Sequence, residues 1–131
     1  MRRVGQRRTP IERAVSSIVT RLGHRYRCNN RRLPGSPDLS NQTEGWAVFV
    51  NGCFWHGHKN CAKTKAGRQP RTPARHRRFW SAKIKANRLR DARKCRELRG
   101  RGLRVMIVWE CELKSAGKVE KRLRWLTWQR R

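Results

Sequence analysis

Three potential metal ligands, Cys53, His58 and Cys61, fall within nine residues, and a fourth, Cys111, follows an apolar stretch much later in the chain. Thiolates and imidazoles suit tetrahedral zinc, and a close set of ligands completed by a distant one is a common supply pattern. Four protein ligands leave no open coordination position, so a zinc held this way is structural. The set closes only if the segment 103–109 runs beside the segment 46–50 in one sheet. Otherwise the cysteines are buried thiols and the histidine is a surface residue. Five cysteines are an odd number, and with no export signal a disulfide framework is not expected. Cys28 and Cys95 read as small core residues.

Asp38 and His56 are the other candidates for chemistry. A carboxylate ahead of a strand pair can hold magnesium, which polarises a phosphoryl oxygen and lowers the pKa of water. A histidine nearby can act as general base, because its pKa lies near neutrality. Taken singly, an aspartate after a proline and an isolated histidine are equally compatible with plain structural roles.

The charge around these residues is uneven. The chain has 131 residues, with 35 Lys or Arg against 8 Asp or Glu and a formal net charge of +27. Residues 1–32 carry +9, residues 33–61 carry −1, residues 62–104 carry +15 and residues 105–131 carry +4. A near-neutral segment between basic ones suggests chemistry in the middle and phosphate contacts around it. Such a charge points to a polyanion, nucleic acid first. It makes binding salt-sensitive and fixes position rather than sequence. A basic RNA-binding protein whose charge is only glue remains open on composition alone. No apolar run approaches the roughly 20 residues of a membrane-spanning helix. The start, MRRVGQRRTP, has no apolar stretch behind its charges, so neither a signal peptide nor an anchor is expected. The expected location is cytoplasmic, associated with the nucleoid.

The elements that must position these groups read as follows. Thr9-Pro10-Ile11-Glu12 opens a helix with a cap, a proline and a capping-box glutamate. Ile11, Ala14, Val15, Ile18 and Leu22 recur at helical spacing, and Gly23 ends it. Arg25 to Cys28 alternates weakly as a strand, and Asn29 to Pro37 is turn-rich. Residues 46–50 form a buried strand broken by Gly52, and residues 59–75 a basic loop. The spacing predicts a long helix from about Ala74 to Arg99, with Trp80, Ile84, Ala92, Cys95 and Leu98 facing inward. Gly100 and Gly102 stop it. Residues 103–109 form the best strand, and a last helix covers 117–128. The sum is one small α/β domain without repeats, residues 9–131, behind a basic arm at 1–8.

The series Leu33-Pro34-Gly35-Ser36-Pro37-Asp38, Val48-Phe49-Val50-Asn51-Gly52-Cys53-Phe54-Trp55-His56-Gly57-His58, Phe79-Trp80 with Lys83-Ile84, Asn87 and Arg90-Asp91, and Val108-Trp109-Glu110-Cys111 resembles the very-short-patch-repair (Vsr-type) DNA endonucleases. The match runs in order from about Thr9 to Leu113. The resemblance implies a restriction-endonuclease-like fold, a small mixed sheet flanked by helices with a zinc knuckle. It implies magnesium-dependent nicking of one DNA strand next to a T:G mismatch by a monomer. By resemblance, Asp38 and the Val50 carbonyl bind magnesium, and His56 activates water. Phe54, Trp55 and Trp80 match aromatics that wedge into the duplex, although core packing is the alternative for all three. Glu12 matches an acidic residue near the metal, and serves equally as the capping-box partner.

Three departures stand out. Asn51 occupies the place of a second catalytic histidine paired with the aspartate that matches Asp91, and an amide transfers no proton at neutral pH. Two residues separate His58 from Cys61, one more than the family pattern. The arm before Thr9 is short. Alternatives therefore stand beside the nickase: a catalytically weak mismatch-binding or duplex-binding module on the same fold, and a nicking nuclease of a restriction or defence system.

Overall fold

In the computed structural model the described residues are 9–53 and 77–127. The apolar run that begins at Trp46 builds strand β3 (Trp46–Asn51), whose residues alternate between two buried faces. It is flanked by β2 (Leu39–Asn41) on one side and β4 (Arg104–Trp109) on the other, and β1 (Arg27–Cys28) lies outside β2. The β1–β2 and β2–β3 pairs are antiparallel, and β3–β4 is parallel, with Trp46 opposite Arg104 and Asn51 opposite Trp109. The parallel pair is joined through α2 (Arg77–Gly100), as parallel neighbours need a crossover.

One face of the sheet, carrying Leu39, Trp46, Val48, Met106 and Val108, packs on α1 (Pro10–Arg21) and α3 (Ala116–Thr127). Val15, Ile18 and Val19 come from α1; Val119, Leu123 and Leu126 come from α3. The other face is thinner: Ala47 and Phe49 meet Cys95 and Leu98 of α2, with Leu33 and Leu103. The result is a three-layer α/β domain with a mixed four-stranded sheet, as expected.

Most sequence expectations hold, and their departures are local. The capping box is formed, with Glu12 N donating to Thr9 Oγ1 at 3.1 Å and Thr9 N to Glu12 Oε1 at 3.4 Å. β2 was not expected; it is a three-residue strand with one apolar side chain in its core-facing row, too short to show a period. A 3₁₀ helix, Glu110–Ser115, separates β4 from α3. Ala92 is exposed rather than inward, and Ile84 is only half-buried. Among the described residues α2 packs on the sheet through its last turns, at Cys95 and Leu98. Burial raises the Cys95 thiol pKa, as suits a core cysteine. Cys28 is half-buried against the α1/α3 core. Among the described residues no helix is long and apolar enough to cross a membrane.

Candidate active site

Asp38 reaches the sheet through a pinned turn. Asn30 is buried, and its Oδ1 accepts from Arg32 N at 3.0 Å. Leu33 N donates to Asn30 O at 3.2 Å, Ser36 N to Leu33 O at 3.0 Å, and Asn29 N to Asp38 O at 3.1 Å. Leu33 and Pro37 are buried. Asn29 and Ser36 take positive φ, 47° and 48°, a conformation uncommon outside glycine and tolerated where surrounding structure fixes it. The turn delivers the Asp38 carboxylate to the end of β3, where Val50 N donates to its Oδ2 at 2.7 Å. N–H and C=O of one strand residue point to the same side, so the Val50 carbonyl leaves β3 on the same side as this N–H.

Glu12, on the first turn of α1, completes this cluster. Its carboxylate lies within hydrogen-bonding reach of Asp38 as well as capping the helix. The Asp38 pKa is raised from 3.8 to about 6. Burial is the largest cause, and Glu12 adds both charge repulsion and a hydrogen bond that favours the protonated form; Val50 N and Lys94 pull the other way. The two carboxylates that meet here are hard oxygen donors, the chemistry that suits magnesium. The residues present fit such an ion. Among the described residues no group of three His, Cys, Asp or Glu side chains stands close enough to hold a metal unaided.

Beside this pair runs a second polar chain. Asn51, buried at the end of β3, donates through Nδ2 to Asp91 Oδ2 at 3.5 Å. Asp91 Oδ1 lies 3.7 Å from Lys94 Nζ one turn on in α2. The pairing expected between positions 51 and 91 is therefore present, with an amide in it. Lys94 and Gly35 were not singled out from sequence. An i, i+3 Asp–Lys pair on one helix face was the available signal for the lysine.

Cys53 is buried two residues beyond β3, and Cys111 is half-buried two residues beyond β4. Because Asn51 and Trp109 are register partners, the two cysteines leave the same end of adjacent parallel strands. This is the strand arrangement on which the four-ligand reading depended. His56, His58, Cys61, Phe54 and Trp55 lie outside the described residues, as do the 1–8 arm and the 59–75 segment. Trp80 is in the first turn of α2, and its side chain is outside the description.

The model of the family "DNA mismatch endonuclease Vsr" matches residues 1–63. The type II nicking enzyme V.XorIIP of Xanthomonas oryzae pv. oryzae is 42% identical over 124 residues, covering 95% of this chain and 86% of its own. The DNA mismatch endonuclease Vsr of Escherichia coli is 38% identical over 119 residues, covering 91% and 72%. The type II nicking enzyme V.NmeAIP of Neisseria meningitidis is 37% identical over 123 residues, covering 94% and 83%.

Proposed function

The chain belongs to the Vsr family of DNA mismatch endonucleases and is a DNA endonuclease, and from that premise we propose that it nicks one strand of duplex DNA at or beside a T:G mismatch, using magnesium. The observation that carries this reading is the Asp38–Glu12 carboxylate pair, with Asp38 fixed by Val50 N at the end of β3. Magnesium bound there supplies polarisation of a phosphoryl oxygen. Asp38, fixed by Val50 N, orients the ion's ligand set, and Glu12 supplies the second carboxylate. His56 takes the proton from the attacking water. Phe54, Trp55 and Trp80 wedge into the duplex where pairing is already weak, at a cost of about a few kcal/mol. Cys53, His58, Cys61 and Cys111 hold a structural zinc, supported by the common exit of Cys53 and Cys111 from paired strands. Elemental analysis should find one zinc per chain, lost in Cys111→Ala.

A strand-labelled duplex with a single T:G pair tests the proposal, with a fully paired duplex as control. The expected result is magnesium-dependent cleavage of the labelled strand next to the mismatch, with the complementary strand intact. No cut in either duplex by zinc-loaded, folded protein overturns it. Asn51 favours a second reading, a mismatch-binding module that turns over weakly, because its amide bonds Asp91 without a proton to exchange. In that case Asn51→His raises nicking about a hundredfold, the lower range for a positioned acid or base. The relatives' names divide between mismatch endonuclease and type II nicking enzyme, so service beside a restriction system is the alternative to repair. A monomer acting in the cytoplasm fits either role.

A further inference from the structure

Lys94 is held from both ends. A Cβ at position 35 would lie 2.6 Å from Lys94 Cδ and Cγ and 2.9 Å from its Cβ, so the bare Gly35 backbone is the seat on which the stem rests. The ammonium is 3.7 Å from Asp91 Oδ1 and 5.6 Å from the centre of the Phe49 ring. Its side chain is 27% exposed, against 59% for Arg21 and 62% for Arg124 on the surface. Fixing a lysine in this way sacrifices most of its rotamer freedom. A solvent-facing charge gains nothing from such restraint. The immediate surroundings explain what it gains: Asp38 and Glu12 crowd two carboxylates together, Lys94 acts on Asp38 as the opposing charge, and a phosphodiester entering there meets like charge. An ammonium has three donors, and Asp91 takes only part of that capacity.

We propose that Lys94 is a phosphate-positioning residue, whose ammonium holds a non-bridging oxygen of the scissile phosphodiester while Asp91 and Gly35 fix its place. The proposal rests on the nickase reading of the same site. It differs from a purely structural Asp91–Lys94 pair in one respect: the contact is made to the charge of a single DNA linkage.

The test is a binding experiment on zinc-loaded protein in buffer without magnesium, which needs no turnover. Uncharged methylphosphonates are placed one at a time across the linkages flanking a T:G pair, and each duplex is bound by the wild-type protein and by Lys94→Met, which keeps the stem. On the unmodified duplex Lys94→Met should lose about tenfold in affinity, the scale of one charge-assisted hydrogen bond. Its salt slope should fall by about 0.9, the value of one phosphate. At one linkage the methylphosphonate should weaken the wild type about tenfold and the variant not at all. Lys94→Arg should restore the slope. Additive losses at every linkage, or unchanged binding by Lys94→Met, overturn the proposal; Lys94→Gln replaces Met if that variant fails to fold. Coupling at one linkage without a cut there in magnesium would instead sink the nickase reading and leave the phosphate contact standing.

Discussion

Where β3 begins, Glu44 accepts from His24 Nδ1 at 2.9 Å and from Trp46 Nε1 at 2.8 Å. Arg104 there donates to Leu126 O at 2.7 Å and Glu44 O at 3.1 Å, and Trp46 closes the core without exposure. Where β3 ends, five residues on, Asp38 receives one backbone N–H and faces a second carboxylate, and its pKa climbs to about 6. Both ends hold half-buried acids beside the same sheet. At the first, Glu44 meets donors and Arg104 meets acceptors of the protein's own; at the second, two like charges are crowded together. The first arrangement stabilises the fold. The second costs stability in the metal-free protein and makes sense when a cation and a phosphate complete it.

The largest effect is expected at Asp38. Asn in its place still accepts from Val50 N and can donate to Glu12, so Asp38→Asn should lower magnesium-dependent nicking about a thousandfold or more, while raising the metal-free Tm by a few degrees. Single-turnover nicking and a thermal melt of the same preparation check both halves. Next comes the opposite end. Arg104→Met leaves the Leu126 and Glu44 carbonyls without their guanidinium donor and should cost about 2–3 kcal/mol in urea unfolding. Nicking per folded molecule should stay within about twofold, since only stability is touched.

Gly35→Ala sits between these extremes. Its φ of +78° strains an alanine, and the added methyl meets the Lys94 stem. A loss of about 1–2 kcal/mol is expected, together with a lower salt slope for DNA binding.

The last effect is in pH. A carboxyl whose folded pKa lies above its unfolded value contributes stability that is fully present below the unfolded pKa, 3.8, and lost as pH rises through about 6. In magnesium-free buffer, urea unfolding of the zinc-loaded protein should therefore lose about 2 kcal/mol from this group between pH 4 and pH 6.5. Asp38→Asn should remove that component of the profile.

The two ends also differed in how readable they were. Thr9-Pro10-Ile11-Glu12 announces α1, and the runs at 46–50 and 103–109 announce β3 and β4, because caps and unbroken apolar stretches act locally. The motif around Pro37-Asp38 and Val50-Asn51 located the acidic end for the same reason. β2 was invisible, since Leu39-Ser40-Asn41 offers a single apolar residue and becomes a strand only by pairing with β3. Ala92 was misplaced because where α2 leaves the sheet is set by tertiary packing, not by its own period. Gly35 reads as half of a Pro-Gly turn, and only the approach of Lys94 from another element gives it a second function. The dual use of Glu12, cap and carboxylate partner, likewise needs α1 to be laid against the turn that carries Asp38.

The account stands on the claim that the crowded carboxylates at the end of β3 form a divalent-cation site. Thermal melts of zinc-loaded protein at pH 7.5 across a magnesium titration test it most directly, comparing wild type with Asp38→Asn. A ligand that binds only the folded state raises stability by RT ln(1 + [L]/Kd), about 1.4 kcal/mol at tenfold excess over Kd. The account expects the wild-type Tm to rise with magnesium and the Asp38→Asn Tm, higher at the outset, to stay flat. Equal rises in both proteins, or no rise in either, would contradict it.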